Sequence, residues 1–194
     1  MPTNLFFALE LTDDARRAVN SFAQLWRKTL VDRADIRWYS PSAYHITLKF
    51  IGPRDPAEFP DLVCAGERAA GSYASERANQ LIMITLTGAG AFPEPGHPSV
   101  LWCGAKLTGG LESLASHIDV ACETIGVPAE TRRFRPHITL ARCHRAAPIT
   151  LPAAALPISE NFPVTRFVLL RTSDYKGQTT ESNLRYNTVH TFVW

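Results

Sequence analysis

Apolar and polar positions along the chain fall into runs of two kinds, one with the period of a strand and one with that of a helix. NLFFALE, residues 4–10, is a short apolar run that suits a buried strand. In DDARRAVNSFAQLW, Ala15, Val19, Phe22 and Leu25 or Trp26 recur at helical spacing, and Asp13 and Asp14 place negative charge at the helix start. A strand over 35–39 and a turn at Ser40-Pro41-Ser42 lead to a second strand, YHITLKFIG, ending at Gly52-Pro53. A helix is expected from Pro56 to about Tyr73, with Leu62, Val63, Ala69 and Ala70 among its apolar positions. The β-branched run 80–86 reads as a strand, the Gly- and Pro-rich stretch 88–99 as a loop, and VLWCGAKL as the next strand. A third helix, LESLASHIDVACETIG, closes at Gly126. After it come RFRPHITLAR, a Pro/Ala-rich connection over 146–157, the strand RFVLLRTSD, a polar loop, and a final strand, YNTVHTFVW.

Short, turn-bounded strands with three interspersed helices make this an α/β or α+β chain. One tetrapeptide is repeated letter for letter: HITL occupies 45–48 and again 137–140. Each copy follows a long helix and a turn containing proline, Pro41 or Pro128. The economical reading is one domain over residues 1–194, built from two similar halves that face each other.

Side chains alternate faces along a strand. His and Thr of each HITL therefore point one way, and Ile and Leu the other. Extending the count puts Lys49 with His45 and Thr47, and Arg135 with His137 and Thr139. With six His and seventeen Thr in 194 residues, chance gives about half an H-x-T. Two copies with identical residues between and after are a strong signal. Histidine, with an ordinary pKa of about 6.5, serves as acid or base near neutrality. Opening a cyclic phosphodiester needs a base for the attacking water and an acid for the departing oxygen, on opposite sides of phosphorus. One His from each half meets that need, and the two Thr hydroxyls can hold the non-bridging phosphoryl oxygens. A metal site is the weaker reading, because each strand offers one good ligand and no H-x-H, HExxH or Asp cluster completes a shell.

Composition narrows the picture. Net charge is only +2, so anion affinity must be local. Arg132, Arg133, Arg135, Arg142 and Arg145 supply it within a segment free of carboxylates, and Arg135 and Arg142, which bracket HITL, are the candidates for phosphate contact. Cys64, Cys103, Cys122 and Cys143 form no C-x-x-C pair and read as reduced thiols. LFFAL is too short for a signal peptide, and no apolar run approaches the roughly 20 residues of a membrane span. The expectation is a cytoplasmic protein without membrane partners.

Paired H-x-T-x motifs about ninety residues apart resemble the 2H phosphoesterase superfamily, and within it the RNA 2′,3′-cyclic phosphodiesterases once called 2′-5′ RNA ligases. The likeness extends over LFFALEL, YHITLKFIG, GAGAFPEPGHPSVLWCG, RFRPHITLAR and FVLLRTSD. The resemblance implies an α+β, bilobal, pseudo-symmetric fold, with two antiparallel sheets flanking a central cleft and helices outside. It also implies hydrolysis of RNA 2′,3′-cyclic phosphate ends to 2′-phosphomonoesters, with no metal and no cofactor. By the family's pattern, His45 falls where the proton donor sits and His137 where the acceptor sits, with Thr47 and Thr139 beside them. Sequence chemistry alone does not order the two roles.

RNA ends are usually held by stacking on aromatics, for which Phe6 and Tyr44 are the picks over Phe92 and Trp102. The substrate contacts expected are thus Arg135, Arg142, Lys49, Tyr44 and Phe6, in a monomer. Two other readings stay open: a module that binds RNA ends without turnover, or the same machinery used for 2′-5′ end joining or for a smaller cyclic nucleotide.

Overall fold

A computed structural model describes residues 2–30, 33, 35–77, 82–93, 97–106, 110–144, 161–173 and 185–194. The Pro/Ala-rich connection, the polar loop before the last strand, Arg145 and residues 80–81 of the expected fourth strand lie outside the described residues. In chain order the elements are β1 (Thr3–Glu10), α1 (Asp13–Thr29), β2 (Ile36–Trp38), β3 (His45–Arg54), α2 (Phe59–Arg77), β4 (Ile82–Phe92), β5 (Val100–Lys106), α3 (Leu111–Glu123), β6 (His137–Cys143), β7 (Asn161–Val164), β8 (Arg166–Ser173) and β9 (Arg185–Val193). No described helix is long and apolar enough to cross a membrane.

The first helix starts where its sequence provides a partner for orphan N–H groups. Thr12 caps α1 by accepting from the Ala15 amide at 3.3 Å, ahead of Asp13 and Asp14. Its apolar stripe, Ala15, Val19, Phe22, Ala23 and Trp26, is buried as the 3.6-residue period requires. α2 and α3 pack on each other, α3 also against β3 and α2 against β9. Gly66 lets α2 approach: a Cβ there would lie 2.4 Å from the buried Phe192 ring.

All nine described strands join in one curled antiparallel sheet, ordered β7-β4-β5-β6-β3-β1-β8-β9, with β2 on the free stretch of β6. It resolves into two halves. β7, β4, β5, β6 and β2 form one, and β3, β1, β8 and β9 the other. Among the described residues a single bridge, Ile46 opposite Ile138, joins them. The two sheets expected from the family likeness are therefore united edge to edge at the repeated motif. Both isoleucines are fully buried in the main core. A second, small apolar cluster, Phe6, Ala8, Val168 and Leu170, lies on the opposite sheet face.

Two elements differ from the sequence reading. The stretch expected as a loop from 88 begins as strand, because β4 continues through Gly88-Ala89-Gly90-Ala91-Phe92. A register shift between Leu86 and Ala89 absorbs the irregular composition, and Gly90 leaves room for the Trp102 ring across the ladder. β7 was not foreseen. It carries Pro163 and pairs only with β4, an edge position where a missing N–H costs no ladder bond.

Candidate active site

The bridge between Ile46 and Ile138 sets the site. In antiparallel register, Ile46 opposite Ile138 puts His45 across from Thr139 and Thr47 across from His137. The isoleucines point into the core, so these four side chains share the other face, and all four are half-buried. His45 and His137 become diagonal cross-strand neighbours, a relation that spaces positions about 7–8 Å apart. Two identical strands crossing head to tail thus place two imidazoles on either side of one small space.

Each ring is held the same way. His45 Nδ1 donates to the Ala43 carbonyl and His137 Nδ1 to the Arg135 carbonyl, both at 2.8 Å. A carbonyl can only accept, so Nδ1 carries the hydrogen and Nε2 is left to exchange a proton with a ligand. Burial pushes the His45 imidazole down to about 4, against the pull of the Ala43 carbonyl, and the facing His137 opposes a charge there too. Burial also lowers His137, with the Arg135 carbonyl again working the other way. Both rings are therefore neutral in the free protein near neutral pH.

Aromatic rings flank both imidazoles. Phe6 and Tyr186 stand with ring centroids 4.9 Å from His45 and 5.1 Å from each other. Phe92 stands 5.2 Å and Trp102 6.4 Å from His137. Phe92, Trp102, Thr87, Arg133, Arg135 and His137 line an open cavity of about 320 Å³ beside the second motif.

The expected substrate residues fare unequally. Arg135 lines that cavity, and its carbonyl orients His137. Arg142 is exposed and donates through Nε to the Tyr39 hydroxyl at 3.1 Å, while Tyr39 hydrogen-bonds Tyr186, whose ring touches His45. Phe6 adjoins His45, but at 5% exposure its ring supports the imidazole rather than offering a free face. Tyr44 is a correction. It is 3% exposed and sits in the main core, at the end of the turn that leads into β3.

Lys49 is the second correction. Its side chain is buried, paired with Asp119 of α3 and donating to the Pro128 carbonyl at 2.8 Å. The cause lies in the register: Ala8 opposes Thr47 and Phe7 opposes Lys49, so Leu48 is an extra residue that reverses the alternation. β6 does the same, since Trp102 opposes Thr139 and Leu101 opposes Ala141, with Leu140 left over. After both bulges the residue following HITL turns inward and the next turns outward. That is why Lys49 leaves the site while Arg142 stays within reach of it.

Tyr39 and Tyr186 were missed. Tyr186 lies in the last strand, far from either motif, and its place just past a polar loop carries no chemistry by itself.

Comparison with known proteins bears on the family and the fold. The family model of the 2′-5′ RNA ligase superfamily matches residues 12–176. An RNA 2′,3′-cyclic phosphodiesterase of Geobacillus stearothermophilus is 30% identical over 193 residues, 98% of this chain and 57% of its own length. The chain thus spans little more than half of that relative. A crystal structure of a Thermus thermophilus protein superposes with a TM-score of 0.75 at 28% identity, covering 98% of this chain and 97% of that one. Escherichia coli LigT complexed with 3′-AMP gives 0.72 at 25% identity, covering 100% and 98%.

Proposed function

The chain belongs to the 2′-5′ RNA ligase superfamily, and from that premise we propose that it hydrolyses 2′,3′-cyclic phosphate ends of RNA to 2′-phosphomonoesters, with His45 and His137 as acid and base and no metal. The observation that carries this reading is the diagonal placement of two imidazoles on one sheet face, each with Nδ1 tied to a carbonyl and Nε2 left for a ligand. The similarity to an RNA 2′,3′-cyclic phosphodiesterase and to a structure holding 3′-AMP supports the substrate class.

In the step proposed, His137 takes a proton from water through Nε2 as the water oxygen bonds to phosphorus. The bond from phosphorus to O3′ breaks, and His45 gives its Nε2 proton to O3′. The product keeps its phosphate on O2′, and the proton taken by one ring equals the one given by the other. Each positioned transfer is worth about 10²–10⁴ in rate. Thr47 and Thr139 stand opposite His137 and His45, where their hydroxyls reach the non-bridging oxygens. Arg142, fixed through Tyr39, supplies positive charge at the rim. Burial holds His45 near 4 in the free protein, so its service as acid requires the anionic phosphate to favour the imidazolium. The neighbours of both rings are hydroxyls and aromatics, a set suited to proton transfer and poor in metal ligands.

The test is incubation of an oligoribonucleotide ending in 2′,3′-cyclic phosphate with wild type, His45→Ala and His137→Ala, with and without chelator. The expected product is the 2′-phosphomonoester, with the rate unchanged by EDTA, bell-shaped in pH, and lowered about 10²-fold or more by either substitution. Activity lost in EDTA and restored by a divalent metal would remove the mechanism.

A further inference from the structure

The two aromatic pairs beside the imidazoles are not equivalent. Phe6 and Tyr186 close over each other and His45, and Phe6 is 5% exposed. Phe92 and Trp102 are half-buried and line the cavity beside His137. The way Trp102 is seated is the key observation. A Cβ built on Gly90 would lie 2.3, 2.5 and 2.9 Å from Cζ2, Cη2 and Cε2 of the indole, the spread that an approach onto the ring face produces. A Cβ on Gly104 would come within 3.2 Å of Cζ3. The indole therefore lies flat on the sheet over two residues that have no side chain, with its other face toward the cavity. Its buried N–H makes no hydrogen bond among the described residues, so what the ring offers is its π face. Phe92 packs offset against the indole, with ring centroids 5.0 Å apart and planes 32° from parallel, so the two rings form one aromatic wall of the cavity.

This surface is continuous with the phosphate site. Trp102 opposes Thr139 across β5 and β6, and Thr139 opposes His45, so one rung of the sheet runs from the indole to the imidazole. Adjacent strands are about 4.8 Å apart, which puts the ring within a nucleoside's reach of a phosphate between the histidines. Arg133 and Arg135 line the same cavity. We propose that the outer face of Trp102 is the stacking platform for the nucleobase of the terminal, phosphate-bearing nucleotide, with Arg133 and Arg135 as donors to its polar edge. This rests on the cyclic-phosphodiesterase reading and adds to it where the base goes. Because every base has a π face, the platform holds purines and pyrimidines alike.

The experiment compares binding of adenosine 2′-phosphate and of methyl riboside 2-phosphate, which keeps the phosphate but has no base, to wild type, Trp102→Ala, Trp102→Phe and Gly90→Ala by calorimetry. Wild type is expected to prefer the adenosine ligand by about ten- to a hundredfold, the range one stacked base carries. Trp102→Ala should erase that preference while binding methyl riboside 2-phosphate as wild type does. Trp102→Phe should keep most of it, and Gly90→Ala, whose methyl lifts the indole, should lose it. Equal weakening of both ligands by Trp102→Ala, or no change in either, overturns the platform. Wild type that binds adenosine 2′-phosphate with this preference but leaves a cyclic phosphate intact sinks the reaction and spares the platform.

Discussion

Tyr186 stands edge-on to His45 with ring centroids 4.9 Å apart and planes 83° from parallel, which ties the last strand of the chain to an imidazole in the third. Its hydroxyl hydrogen-bonds Tyr39, which accepts from Arg142. A residue of each half thus meets at one ring, and burial raises the Tyr186 hydroxyl well above its ordinary range.

Tyr186→Ala should admit water to His45 and raise its pKa from about 4 toward the ordinary value, because burial is the leading cause of the depression. An NMR titration of the imidazole checks this. Tyr186→Phe keeps the ring and should leave that pKa near its starting point, while freeing Tyr39 and Arg142 and raising KM for a cyclic-phosphate substrate several-fold.

His45 also shapes stability in acid. Its folded pKa of about 4 lies below the roughly 6.5 of the unfolded chain, so the unfolded state takes the proton first as pH falls. The stability contributed by the neutral ring is complete above pH 6.5 and is lost between about 6.5 and 4, by roughly 3 kcal/mol. His45→Gln should therefore lose less stability than wild type across that window in denaturant titrations. Parallel curves for the two proteins would refute this.

Lys49 and Asp119 form a pair whose side chains are 3% and 25% exposed. Asp119→Asn leaves a buried ammonium without its counter-charge and should cost about 3 kcal/mol, lowering Tm by roughly 6–12 °C. Substrate KM should not move, since the pair faces α3 and not the histidines. A KM increase at full stability would restore Lys49 to the substrate contacts.

Gly66→Ala tests how α2 rests on the sheet. Alanine is the better helix former by about 1 kcal/mol, yet its methyl would meet the Phe192 ring at 2.4 Å. Phe192 is fully buried and stacked on Phe167 with centroids 4.6 Å apart, so it cannot swing clear. Overpacking of about 1–3 kcal/mol should outweigh the propensity gain, and thermal denaturation should show a lower Tm.

Much of the site was legible because its signals are local. Period-two alternation within HITL put His and Thr on one face and Ile and Leu on the other, and the structure keeps that division in both copies. Helix starts were readable from Asp13 and Asp14, and the close of α3 from Gly126, whose φ is +78°. Alternation failed one residue beyond the motif. Nothing in LKF or LAR marks Leu48 or Leu140 as unpaired, because a bulge belongs to the ladder with the neighbouring strand. Nor does the sequence mark Tyr44 as core or Trp102 as cavity lining, since that depends on what packs against each ring.

The sequence by itself determined which residues can exchange protons, that they come in two matched pairs, and which side of its strand each occupies within the motif. These follow from side-chain chemistry and backbone geometry over four residues. Only the tertiary structure decided that Ile46 meets Ile138, that two bulges turn Lys49 inward and Arg142 outward, and that Tyr186 and Trp102 come to stand beside the imidazoles. Strand register is fixed by hydrogen bonds and packing between segments distant in sequence, and no single segment carries that information.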